Sequence, residues 1–209
     1  MDLTLYKPND LEKWISREYQ AAGIHYPAEL EIDRIVSWFR GDVQFYNGPT
    51  CVDYDNPFYP VILINAFQKT IERRKAFFHE LGHMLLHTGN QDNLPTGLRE
   101  LQEMQADQFQ LYAAMPYYMF EEFKYVPAYN LVKVLMEAFV LPESFVKKRL
   151  EHIKNRMYWH EQDLITKERF SQKVVKSTKH ELQDFIAETH RRYTERYGKK
   201  NENEDPCLL

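Results

Sequence analysis

The segment His79-Glu80-Leu81-Gly82-His83 constrains this chain more than any other. In a helix, residues four apart share a face, so two imidazoles there can converge on one point. Ala76, Phe77, Leu81, Met84 and Leu85 supply an apolar side at helical spacing. The pattern predicts a helix over residues 68–87, stopped at Gly89-Asn90. A hydrolytic zinc site takes three protein ligands and keeps one open position. Two histidines on one helix therefore require a third ligand from another element, and residues 98–114, ended by Met115-Pro116, predict a second helix able to fold back beside the first.

The remaining pattern builds around that pair. An amphipathic helix is expected over residues 9–22, with Leu11, Trp14, Ile15 and Tyr19 on one side. A second helical stretch opens at Pro27, with Leu30, Ile32, Ile35 and Trp38 available to a core. Short β-like runs follow at residues 43–46, 50–54 and 60–65, separated by turn chemistry at Asn47-Gly48 and Asp55-Asn56-Pro57. They read as a small antiparallel three-stranded sheet in which Val61-Ile62-Leu63-Ile64 is the most buried strand. Beyond Pro127, Leu131, Val134, Leu135 and Phe139 lead through Val140-Leu141-Pro142 to Phe145, Val146, Leu150 and Ile153, a spacing similar to a helix-turn-helix. A last helix is expected over residues 166–197, and a charged tail, residues 199–205, is expected to be disordered. The fold class is thus α+β, mostly helical. Residues 1–125 read as a zincin-like domain, 126–197 as a helical C-terminal region and 198–209 as a tail.

Composition narrows the function classes. The 209 residues include only 7 Gly and carry a net charge of −4, so no global attraction to nucleic acid is expected. A local basic patch, Lys147, Lys148, Arg149, Lys154 and Arg156, keeps direct DNA binding open as an alternative. Cys51 and Cys207 lie far apart and form no disulfide framework, which fits a reducing compartment. The N-terminus lacks a basic segment followed by an apolar run, and no stretch of 18 apolar residues exists, so a soluble cytoplasmic protein with no membrane span is expected.

The chemistry-bearing residues are few. His79 and His83 read as metal ligands, and Glu80 as the general base that takes a proton from water during amide hydrolysis and returns it to the leaving amine. Glu103 is the favoured third ligand; Glu100 and Asp92 compete with it. Asp107, four residues beyond Glu103 and on the same face, is placed to accept a hydrogen bond from a ligand imidazole. His87 extends the four-residue series but stands about 80° round the helix from His79, which points to a structural or supporting role. Cys51 reads as a strand cysteine, with an inhibitory thiolate as its rival. Tyr112, Tyr158, His160 and His180 are available as oxyanion donors, and spacing selects none of them. The sheet edge at residues 43–54 could take a substrate as an added strand.

Together these residues resemble the ImmA/IrrE family of bacterial metallopeptidases, over roughly residues 31–149. The resemblance is carried by Ile62-Leu63-Ile64-Asn65, by Arg74-Lys75-Ala76-Phe77-Phe78 running into His79-Glu80-Leu81-Gly82-His83-Met84-Leu85-Leu86-His87, and by Glu103-Met104-Gln105-Ala106-Asp107-Gln108-Phe109 followed by Ala114-Met115-Pro116. It implies Zn²⁺ on His79, His83 and Glu103, with Glu80 catalytic. It also implies a protein substrate, a helix-turn-helix repressor of phage, mobile-element or stress genes. Gln105 departs from the family pattern, in which an acidic residue often precedes the alanine. A competing reading keeps the metal site as structural or sensory and has the chain sequester a repressor without cutting it.

Overall fold

The computed structural model describes residues 3–56, 58–87 and 94–197, and the stop expected at Gly89-Asn90, the ligand candidate Asp92, Cys207 and the tail lie outside them. The chain divides into two compact units, Met1–Tyr158 and Trp159–Leu209.

The first unit opens with α1, Asp10–Ala21. Asn9 starts it by accepting the Glu12 backbone N–H at 2.7 Å, while the Glu12 carboxylate accepts the Asn9 N–H at 3.0 Å. This reciprocal cap satisfies two backbone donors that a helix start leaves without partners. The stretch after Pro27 splits into a single 3-10 turn, Pro27–Glu29, and a short helix α2, Ile32–Trp38. Leu30 and Ile35 are buried, whereas Trp38 stays on the surface.

Strands β1 (Asp42–Tyr46), β2 (Cys51–Asp53) and β3 (Val61–Asn65) form one sheet in the order β1-β3-β2. The sheet is mixed rather than antiparallel: β1 runs parallel to β3 with Asp42 opposite Val61, and only β2 is antiparallel, with Val52 opposite Ile62. The turn at Asn47-Gly48 reverses the chain without closing a hairpin, because β1 and β2 lie on opposite sides of β3. Turn residues fix a local reversal but not which strand becomes the neighbour. The apolar run of β3 decides that, since a strand with Ile62 and Ile64 fully buried belongs at the centre.

Helix α3, Thr70–Leu86, packs on β3 and β2, and α4, Thr96–Ala113, packs along α3. Phe77, Phe78, Leu81 and Phe109 are fully buried at this junction. Gly82 sets how closely the two helices approach. A Cβ there would lie 3.1 Å from the Cα and 3.2 Å from the carbonyl oxygen of Ala106, so a side chain at this position would push the backbone of the facing helix back by a few tenths of an ångström. Gln110 locks the register by donating its amide to the Lys75 carbonyl at 2.7 Å.

A 3-10 segment, Tyr117–Phe123, leads to α5, Ala128–Phe139, which ends at Val140 in the left-handed conformation. Arg74 Nε donates to the Phe139 carbonyl at 2.8 Å and ties α5 to α3. Helix α6 spans Glu143–Tyr197. The separate last helix expected from residue 166 is therefore part of one element, for residues 143–197 contain neither glycine nor proline to interrupt it. Residues 143–158 belong to the first unit, where Phe145, Val146, Leu150 and Ile153 enter the core. Trp159 onward belongs to the second unit, where Phe170, Phe185 and Tyr193 are exposed. No helix among the described residues is long and apolar enough to cross a membrane.

Candidate metal centre

Helix α3 carries His79 and His83 one turn apart, and the close crossing at Gly82 and Ala106 brings Glu103 of α4 onto them. His83 Nε2 lies 3.1 Å from His79 Nε2. Glu103 Oε2 is 3.2 Å from His79 Nε2, and its Oε1 is 3.5 Å from His83 Nε2. Of the third-ligand candidates, Glu103 joins the histidines, while Glu100 is not part of that cluster.

The donor set can be tested against a metal from its own geometry. Nitrogen and oxygen ligands of tetrahedral zinc at about 2.0–2.1 Å stand roughly 3.3 Å from one another. The three observed separations bracket that figure. Two imidazoles and a carboxylate are also the ligand types that zinc accepts, with one position left for water. The residues fit a transition-metal ion.

Electrostatics agree with that fit. Burial first, and the neighbouring His79 second, hold the His83 imidazole down to about 4, so the ring is neutral and can offer a lone pair at neutral pH. Glu80 lies half-buried beside the cluster; burial first and the charge of Glu103 second push its carboxyl up to about 7. It is thus poised close to neutrality for moving a proton.

The supporting shell is specific. Asp107 Oδ1 is 3.2 Å from His79 Nδ1. His87 is buried outside the three-residue cluster; its Nδ1 stands 3.0 Å from His83 Nδ1, and its Nε2 lies 3.0 Å from Gln105 Oε1. Cys51 is a free cysteine on β2, 3.8 Å from the Tyr46 hydroxyl, and outside the ligand cluster.

Sequence reasoning missed two tyrosines. Burial first, then the charge of Glu80, pushes the Tyr54 phenol up to about 12. Tyr46 also feels Glu80, but its hydroxyl donates to the Pro49 carbonyl. The alternation of residues 50–54 could have flagged Tyr54, which lies just past β2, a strand that packs on α3. Of the donors considered from sequence, Tyr112 is buried and bonds to Asn9, Gln108 and His152, while His180 pairs with Asp184 on its own helix. The basic patch is also partly consumed: Arg149 is fully buried against Glu12, Lys147 pairs with Glu143, and Arg156 reaches the Lys7 carbonyl.

Comparison with known proteins agrees with the geometry. The chain is similar to the phage-like element PBSX protein XkdA of Bacillus subtilis (strain 168), at 29% identity over 149 residues, 70% of this chain and 74% of that protein. The sequence profile of the peptidase family described as the IrrE N-terminal-like domain matches residues 45–151, more than half of the chain and the whole of the segment that builds the cluster. The chain belongs to the IrrE N-terminal-like domain family, and membership suggests a metallopeptidase.

Proposed function

We propose that this protein is a zinc-dependent endopeptidase that cleaves a helix-turn-helix repressor and thereby releases phage, mobile-element or stress genes. The observation that carries the reading is the convergence of His79, His83 and Glu103, with Glu80 half-buried beside them and its carboxyl pushed up to about 7 by burial and the charge of Glu103. His79, His83 and Glu103 would hold the ion. Zinc bound there supplies Lewis-acid polarisation of the scissile carbonyl and acidifies water.

The chain's own residues do the rest. Glu80 accepts the proton of the attacking water and later delivers it to the departing amine. Asp107 accepts a hydrogen bond from His79 Nδ1 and holds that ring in the tautomer whose Nε2 faces Glu103. Tyr54, protonated at neutral pH and near enough to Glu80 to feel its charge, is the tyrosine we offer as hydrogen-bond donor to the developing oxyanion, since the Tyr46 hydroxyl donates to a backbone carbonyl. β2, an outer strand antiparallel to β3, offers its outer edge to an extended segment of substrate. A groove of about 540 Å³ borders the cluster at Asp107, and Leu101, Met104, Leu111 and Lys148 line it, a mixture suited to amphipathic side chains.

XkdA is a protein of a phage-like element, which supports a target encoded on such an element. The test is incubation of the zinc-loaded protein with purified helix-turn-helix repressors encoded beside its gene, followed by intact-mass spectrometry. Two fragments summing to one repressor plus one water are expected, and none with chelator present. Repressor left at full mass, with the protein carrying its metal, would overturn the reading.

A further inference from the structure

We propose that Gln105 and His87 are positioning residues that fix His83 in the tautomer presenting its Nε2 lone pair to Glu103 and His79. The inference rests on the reading of that cluster as a metal centre.

Hydrogen-bonding capacity orders the protons along a chain of three side chains. Gln105 Oε1 can only accept, so His87 Nε2, 3.0 Å away, donates to it. With its one N–H spent on Gln105, an uncharged His87 ring has Nδ1 left as an acceptor. His83 Nδ1 lies 3.0 Å from that atom and therefore donates. The proton of His83 is thereby placed on Nδ1, and its Nε2 faces His79 Nε2 at 3.1 Å and Glu103 Oε1 at 3.5 Å as a lone pair.

Local structure explains why the chain can be built. Helix α3 ends at Leu86, and His87 adopts extended backbone with φ −124 and ψ 154. That departure from the helix lets the His87 ring bridge from His83 to Gln105 on α4. Burial of both imidazoles, each under 8% exposed, protects the inner bond from competition with water. The two ligand imidazoles are thus supported differently. A carboxylate, Asp107, backs His79, whereas an imidazole–amide relay backs His83. The carboxylate adds basicity as well as orientation; the relay supplies orientation alone.

Two measurements on the full chain test this. In the metal-free protein, long-range proton–nitrogen correlation of labelled histidine should place the His83 proton on Nδ1, a readout that needs no metal. Competitive zinc titration should show Gln105→Leu binding about 10-fold more weakly, the lower end of the loss typical for such supporting residues. Gln105→Glu keeps an acceptor at the same place and should bind at least as tightly as wild type. Gln105 is exposed, so an unchanged melting midpoint of the metal-free leucine variant separates positioning from folding. A His83 proton on Nε2, or zinc affinity in Gln105→Leu equal to wild type, overturns the inference. Wild type that binds no zinc overturns the metal-centre reading instead, and the tautomer and its loss in Gln105→Leu then decide the relay alone.

Discussion

Replacing Arg149 by methionine should destabilise the first unit severely, and the structure gives the size of the effect. The side chains of Arg149 and Glu12 are 0% and 1% exposed, and Nη2 stands 2.9 Å from Oε1. Arg149 Nε also donates to the Met115 carbonyl at 3.0 Å, and the guanidinium lies 5.0 Å over the Tyr112 ring on α4, the helix that carries Glu103. Methionine fills similar space but donates nothing, leaving a buried carboxylate and a buried carbonyl without this partner. Breaking one side of a buried pair costs about 3–5 kcal/mol. Arg156, 3.7 Å from Glu12 Oε2, compensates in part, so the low end, about 3 kcal/mol, is expected. For a unit of this size that is a fall in melting midpoint of roughly 6–12 °C. Thermal unfolding followed by circular dichroism reads it directly. A double change, Glu12→Leu with Arg149→Met, should recover most of the loss, because a well-packed apolar pair can replace a buried ion pair. The pH dependence has a definite sign. Burial acts to raise the Glu12 carboxyl, but Arg149, Tyr6 and the Asn9 amide outweigh it and hold it below the usual range. Its stabilisation is therefore fully present above about pH 4.3 and fades as pH falls through the lower folded value. The cost of Arg149→Met should therefore be largest near neutral pH and shrink as pH falls through that value. A loss under about 1 kcal/mol, the size of an exposed pair, would refute the reasoning.

Three further outcomes follow from the same geometry. Gly82→Val should drive α4 away from α3, because the added atoms meet the Ala106 backbone rather than a yielding side chain; calorimetry should show a loss of about 1–3 kcal/mol, with weakened zinc binding beside it. Zinc at about 100 times its dissociation constant should stabilise the wild-type protein by roughly 2.7 kcal/mol, chelator should remove that gain, and a His79→Ala/His83→Ala variant should show no shift with either. Fluorescence anisotropy with duplex DNA should stay flat at low salt, since Arg149 is buried; a measurable affinity that falls steeply with salt would revive the DNA-binding alternative.

How far the sequence was legible depended on whether local pattern or long-range pairing decided an element. α3 and α4 were readable within a few residues, because Phe77, Leu81, Met84 and Leu85 repeat at helical period and Met115-Pro116 ends the second helix. Two such helices made Glu103 the favoured partner of His79 and His83, with Glu100 and Asp92 left as rivals. The sheet order did not follow. Parallel pairing of β1 with β3 depends on which strand takes the centre of the sheet, and the turn at Asn47-Gly48 carries no information about that. The length of α6 was misjudged because a polar stretch after Ile153 lacks the apolar period but contains no helix breaker either. Tyr54 and the bridge from His87 to Gln105 were hidden for a different reason: both depend on where a side chain points once a helix or strand has ended, and a periodic pattern stops there.

The most direct test of the central claim is Glu80→Gln, measured for bound zinc and for repressor cleavage in the same preparation. The substitution keeps the size of the side chain and removes its ability to take a proton. The account predicts one zinc per chain, as in wild type, with cleavage reduced about 100-fold or more. Cleavage at the wild-type rate by a zinc-loaded Glu80→Gln protein would contradict it.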